Sequence, residues 1–153
     1  MNKINIDITI LGDYSNLEGL ESEAEKLPKT SREQFKKVLN LLKKEKESKN
    51  EKFYYLSTGA FKFTTFGYLF FSESKIYLIE VKPPFGKLKL HKYEYKNYDQ
   101  VDYDVIKAFG ITSNVIYLNK SGIFGKKKDQ VTHISSPDFL DIYKFVKLQT
   151  EQQ

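Results

Sequence analysis

The fifteen residues from Gly67 to Val81, GYLFFSESKIYLIEV, restrict the possible folds of this chain more than any other stretch. Two dense apolar runs, Tyr68 to Phe71 and Ile76 to Val81, flank the polar break Ser72-Glu73-Ser74-Lys75. Aromatic and β-branched residues gathered on both sides of so short a break predict two antiparallel strands joined by a tight turn. No Asn-Gly or Asp-Gly pair marks the turn, so its type stays open. The hairpin is expected at the centre of a sheet.

A hairpin this apolar needs neighbours on its faces, and the chain supplies them in two blocks. Residues 1–50 read as a strand and helices. Ile4, Ile6, Ile8 and Ile10 recur at period two, which puts all four on one strand face that must join a sheet edge, either of its own domain or of a second copy. Tyr14 to Leu27 follows with helical spacing and ends at Pro28. A second helix, capped by Thr30 or Ser31, carries the stripe Phe35, Val38, Leu39, Leu42. The run KKEKESKNEK has no apolar residue and sets a domain boundary near Asn50.

Residues 51–153 read as a meander of about seven strands closed by a helix. The strand-like segments are Phe53 to Phe63, the central hairpin, Leu88 to Tyr95, Val101 to Phe109, Val115 to Leu118 and Gln130 to Ile134. Turn residues separate most of them. Ser135-Ser136-Pro137-Asp138 then announces a serine-capped helix with Phe139, Ile142, Tyr143 and Val146 on one face.

Three features of residues 53–149 resemble the bacterial pleckstrin-homology-like family, in particular its YokE-like branch. They are the hairpin GYLFFSESKIYLIEV, the segment YKNYDQVDYDVI before the fifth strand, and the closing helix. The turn Ser-Glu-Ser-Lys and the pair Lys96-Asn97 depart from the family pattern. The resemblance implies an α+β, mainly β fold: a partly open barrel of two antiparallel sheets, capped by the C-terminal helix and preceded here by the N-terminal strand and two helices. The plug follows from the residues as well, since the Phe139 to Val146 stripe is the apolar surface available to cover the barrel opening.

Catalytic signatures are absent from the sequence. With no Cys there is no thiolate nucleophile or Cys-ligated zinc. His91 and His133 show no paired ligand spacing, and no GxSxG elbow occurs. Ser121 to Lys127, SGIFGKK, lacks the spacing of a phosphate-binding loop. Asp99, Asp102 and Asp104 read as the solvated side of an edge strand. The expectation is a non-enzymatic chain without cofactor or metal.

Charge supplies the remaining signal. The net charge is +5, modest for a nucleic-acid binder, and the single arginine, Arg32, lies outside the barrel, which argues against nucleic acid. If the resemblance holds, the turns after the first, third and sixth strands converge. Lys62, Lys87, Lys126, Lys127 and Lys128 then form one basic rim with Phe85 and Phe124 at the loop tips, a combination suited to an anionic membrane lipid. No signal peptide or membrane-spanning run is evident, so the chain reads as cytoplasmic, peripheral at the membrane if the rim binds lipid. Two readings follow. One is an interaction module that holds a protein partner or, through Ile4, Ile6, Ile8 and Ile10, a second copy as a homodimer. The other is a peripheral binder of anionic lipid.

Overall fold

In the computed structural model the hairpin forms as expected, with β2 (Thr65–Ser72) and β3 (Lys75–Lys82) paired Tyr68 to Ile79, Leu69 to Leu78, Phe70 to Tyr77 and Phe71 to Ile76. The structure describes residues 17–45, 51–62, 64–82, 86–122 and 127–152. A side chain, not a glycine, builds the turn. Ser72 Oγ accepts the N–H groups of Ser74 and Lys75 at 3.4 and 3.2 Å and donates to the Lys75 carbonyl at 3.0 Å. This accounts for a tight connection with no Asn-Gly signal.

The unbroken apolar runs have a physical cause. Tyr68 and Phe70 enter one core cluster while Leu69 and Phe71 enter another, so β2 is buried on both faces and has no polar side to show. The first cluster is built with helices α1 (Leu17–Ala24) and α2 (Lys29–Lys44), whose Leu20, Ala24, Phe35, Val38, Leu39 and Leu42 pack on Phe53, Leu56, Tyr68, Phe70, Tyr77 and Ile79. Phe35 lies 5.8 Å from the Tyr68 ring and 6.4 Å from Phe70. The predicted α2 stripe is thus part of the sheet's own core. The segment of Ile4, Ile6, Ile8 and Ile10, predicted as a strand, lies outside the described residues.

Among the described residues five further strands join the sheet: β1 (Phe53–Phe61), β4 (Lys87–Glu94), β5 (Gln100–Ala108), β6 (Ile111–Lys120) and β7 (Lys127–Thr132). All neighbours are antiparallel in the order β4-β3-β2-β1-β7-β6-β5. β1 pairs with β2 along its length but with β7 only through Ala60 to Thr132 and Phe61 to Val131. That narrow seam divides the sheet into two halves, β1 to β4 and β5 to β7. The outer strands β4 and β5 do not pair, which leaves the barrel partly open, as the pleckstrin-homology-like resemblance implies.

Two glycines face each other in the first half-sheet, Gly59 opposite Gly67. A Cβ on Gly67 would lie 2.0 Å from the Ile79 carbonyl oxygen, and one on Gly59 would lie 2.6 Å from Leu69 Cδ1 and 2.9 Å from the Thr132 carbonyl. Strand coiling brings backbones this close only where no side chain intervenes.

Helix α3 (Phe139–Glu151) plugs the second cluster with Phe139, Ile142 and Val146 among Leu69, Phe71, Ile76, Val101, Ile116 and Leu118. The expected caps differ from what forms. α3 begins after Asp138 with no side-chain cap. Ser135 and Ser136 instead donate their N–H groups to the buried Ser57 Oγ of β1 at 3.2 and 3.1 Å, and Ser136 Oγ accepts the Asp138 N–H at 3.1 Å. A buried hydroxyl on the sheet has claimed the approach to the helix. Thr30 and Ser31 likewise fall inside the first turn of α2, because extended Pro28 sets the entry and its carbonyl accepts the Arg32 N–H at 2.8 Å.

Candidate functional site

Strand register brings three turns to one end of the sheet. Phe61 pairs with Thr65 beside the β1–β2 turn, Lys82 with Lys87 beside the β3–β4 turn, and Lys120 with Lys127 beside the β6–β7 turn. Pairing of Phe61 with Val131 points the Lys127 end of β7 the same way. Lys62, Lys87 and Lys128 are exposed there. Lys62 adopts φ 53° and donates its N–H to the Gln130 carbonyl at 2.9 Å, while its Nζ stands 3.5 Å from Asp129 Oδ1. Lys128 Nζ lies 5.1 Å from the Tyr117 ring centroid. Lys127 occupies the first position of β7. Phe85, Phe124 and Lys126 lie outside the described residues.

Beneath this rim sits a polar cluster for which no motif or spacing stands out along the chain. Buried Asp129 accepts the Tyr98 hydroxyl at 2.7 Å. The Tyr93 ring stacks on Phe61 at 3.9 Å, and His91 Nε2 lies 2.9 Å from Glu80 Oε1. Burial pushes the Tyr93 hydroxyl up to about 12, with the Asp129 and Glu80 carboxylates adding to the rise. Burial, then the bond to Asp129, raises Tyr98 further. Tyr68 and Tyr95 are raised by burial too. A hydroxyl raised in the native state holds its proton where the unfolded chain has lost it, so native stability falls as pH climbs past 10 toward the folded value near 12. We expect unfolding in that window, with tyrosine absorbance rising together with loss of β-sheet circular dichroism. Tyrosine ionisation completed well before unfolding would contradict the burial of these rings.

A second polar cluster lies at the far end of the hairpin. Lys75, only 4% exposed, has its Nζ 3.6 Å from Glu51 Oε1, and Glu51 also accepts Ser74 Oγ at 2.7 Å and Tyr77 OH at 2.5 Å. The carboxylate is fully occupied in clamping the turn. Among the described residues no group of three or more His, Asp or Glu is placed to hold a metal.

The surface that sequence reading missed is on the other half-sheet. Among the described residues the exposed large apolar side chains are Tyr103, Val105, Phe109, Ile111, Leu140 and Leu148, all on β5, its turn into β6, the first residue of β6, or α3. Phe109 and Gly110 form the two-residue turn between Ala108 and Ile111 with φ 53° and 74°, and Phe109 is completely exposed. A left-handed Phe costs about 1 kcal/mol, and Asn or Gly would serve the turn better. Tyr103 rests on Tyr143 at 4.5 Å and on Phe139 at 6.0 Å, so β5 and α3 pack together through these rings. The only hint in the sequence is Phe-Gly between two strands. Asp102 and Asp104 are exposed on the edge strand, as read.

No family model matches the chain. It is 30% identical over 105 residues to YokE, an SPbeta prophage-derived uncharacterized protein of Bacillus subtilis strain 168, a match that covers 68% of this chain and 65% of YokE. The chain therefore spans just under two thirds of that relative's length. The crystal structure of a pleckstrin homology domain from Shewanella amazonensis SB2B aligns with 76% of this chain and 97% of its own, at 16% identity and a TM-score of 0.48. By sequence the chain is similar to YokE, and its seven antiparallel strands with a closing helix are the architecture that the pleckstrin-homology-like resemblance implies.

Proposed function

We propose that this chain is a non-catalytic interaction module that holds a protein partner or a second copy of itself. The observation that carries the reading is the gathering of exposed apolar side chains along β5, the β5–β6 turn and α3, beside a strand that ends the sheet. Scattered surface leucines need no explanation, but an apolar patch next to an unpaired strand edge offers both burial and backbone hydrogen bonds to an incoming chain. In the self-associating form, the period-two strand of Ile4, Ile6, Ile8 and Ile10 joins a sheet edge of a second copy. Exchange of a terminal element is a low-cost route to a homodimer. Light scattering after size exclusion tests this: the full chain is expected as a dimer, and deletion of residues 1 to 11 as a monomer that keeps its β-rich circular dichroism. A full-length chain that stays monomeric at high concentration removes the self-associating form.

A second reading is favoured by the convergence of three turns at one end of the sheet, where Lys62, Lys87 and Lys128 are exposed. This rim would attract an anionic membrane surface, each lysine near it contributing about 1 kcal/mol. The expected result is that vesicles rich in anionic lipid bind the chain at low salt, and that replacing Lys126, Lys127 and Lys128 by Gln abolishes the binding without affecting the fold. Wild-type chain that ignores such vesicles sinks it. Among the described residues no helix is long and apolar enough to cross a membrane, and we place the module in the cytoplasm, at the membrane surface if the rim binds lipid.

A further inference from the structure

We infer that Ile4 to Ile10 of a second copy adds as an antiparallel strand to the outer edge of β4, with its isoleucines toward the helices and Asp7 beside Lys87 and Lys89. This rests on the self-associating form proposed above and gives it an edge, a direction and a charge match.

The backbone of this edge is open. The Tyr95 N–H donates to the Ser74 carbonyl at 3.1 Å, one step beyond the pair Lys75–Glu94, so that pair is a non-hydrogen-bonded one and bonded pairs begin at Ile76–Tyr93. Alternation then bonds His91 and Lys89 to β3 and turns the N–H and carbonyl groups of Leu88, Leu90 and Lys92 away from it. No proline falls between Lys87 and Glu94. Such an edge is a template for a further strand. The side chains show what belongs there. Leu88 and Leu90 pack on the helix–sheet core but are only partly buried, as are Leu41 of α2 and Val81, the β3 partner of Leu88. Four isoleucines on one strand face would complete that cover. On the other face Lys87 and Lys89 are exposed, and Glu80, opposite Lys89 on β3, has its Oε1 2.9 Å from His91 Nε2. Asn5, Asp7 and Thr9 alternate with the isoleucines, so Asp7 arrives on this basic face.

Charge directs the segment to β4 rather than β5, and chain reach directs it to a second copy. On β5 the exposed Asp102 and Asp104 would meet Asp7 with like charge, and the Val101 N–H and carbonyl are already bonded to Glu151 and Lys147 of α3, each at 3.4 Å. Helix α1 runs antiparallel to α2, with Glu21 paired to Lys43 and Glu25 2.5 Å from Lys36. Leu17 therefore lies at the Glu45 end of α2, where Glu45 is 3.0 Å from Lys92 of β4. Residues 12–16 lead back from Leu17 to Leu11 and span at most about 20 Å, which is also the length of β4 from Leu88 to Glu94. A strand of the same chain thus meets β4 at its Glu94 end and runs parallel to it. A second copy is free of that tether and can pair antiparallel, as the seven described strands all do and as gives the more stable ladder.

The chain has no cysteine, so Asn5→Cys carries a nitroxide label without background. Full-length chain bearing the nitroxide is unfolded and refolded together with isotopically labelled wild-type chain, and amide NMR then reads contacts between copies alone. Broadening of the Leu88 to Lys92 amides is expected, with Tyr103 to Lys107 unaffected. Reversed charge should act on the same contact: Lys87→Glu with Lys89→Glu is expected to weaken the dimer about tenfold at low salt, and adding Asp7→Lys to restore it. Broadening at Tyr103 to Lys107 in place of β4, a dimer with neither edge broadened, or a dimer indifferent to the charge reversal overturns the inference and leaves self-association standing. A full-length chain that light scattering finds monomeric removes the two together, and broadening of β4 when nitroxide and isotope share one chain would then give the edge to the chain's own strand.

Discussion

Gly67→Ala is expected to abolish the cooperative unfolding transition, because the new methyl group has nowhere to go. Its nearest neighbours would be the Ile79 carbonyl oxygen at 2.0 Å, the Ile79 carbonyl carbon at 2.6 Å and Glu80 Cα at 2.9 Å. All three are backbone atoms, so no rotamer change relieves the clash and β3 itself must move. The pairings Gly67 to Glu80 and Tyr68 to Ile79 lie at that point, and the hairpin they hold contributes to both core clusters. Against a typical stability of about 5–15 kcal/mol, displacing the central strand pair costs most of what is available. Gly110→Ala makes a useful contrast. Its φ is 74° with nothing within 4 Å of the added atom, so the cost is that of a left-handed alanine, about 1 kcal/mol. Denaturant unfolding of the two variants side by side checks the prediction, and a Gly67→Ala protein within about 1 kcal/mol of wild type would refute the close approach of the strands.

Phe70→Asp should be equally damaging for a different reason. The Phe70 ring is fully buried, 5.5 Å from Phe53 and 6.4 Å from Phe35, in an apolar cluster. A carboxylate there has to stay charged without a partner or take up a proton, at a cost of several kcal/mol either way. The same contact makes α2 depend on the sheet, so Phe35→Ala is expected to cost about 3–5 kcal/mol. Glu73, exposed in the neighbouring turn, should tolerate substitution with little loss. A cooperative, folded Phe70→Asp variant in thermal melts would mean that the hairpin is peripheral to stability.

The hairpin was legible because double-sided burial leaves a run without polar positions, and such runs are rare outside central strands. Helix α2 was legible for a related reason, since Phe35, Val38, Leu39 and Leu42 share one face. Periodicity states that a face is covered but not what covers it, so the docking of that stripe on Phe70 and Tyr68 could not be read. The Ser72 turn and the Ser57 grip on residues 135 and 136 escaped notice because each depends on one hydroxyl meeting a particular backbone group in space. The convergence of the lysine-bearing turns was expected only through the family resemblance, and the Asp129–Tyr98 bond beneath them was not expected at all. Phe109 was hidden by its own chemistry, because a phenylalanine near the end of a strand reads as core until the turn that exposes it is seen.

The alternation of β2 between two cores has a consequence for how the chain finds its register. Adjacent residues answer to different neighbours: Tyr68 donates its hydroxyl to Gln34 of α2 at 2.5 Å, and Leu69 turns toward the barrel interior. Slipping the strand by one residue would send Leu69 and Phe71 to the helices and swing the Tyr68 hydroxyl among Ile76, Leu78 and Val101, where none of these side chains accepts its proton. Both compartments would be filled with the wrong shapes at once. In an ordinary two-layer sheet a slipped strand trades an apolar face for a polar one, a mistake that solvent partly forgives. Here neither side is solvent, so misaligned pairings are rejected from both directions and the helices act as proofreaders of a strand they do not adjoin in sequence.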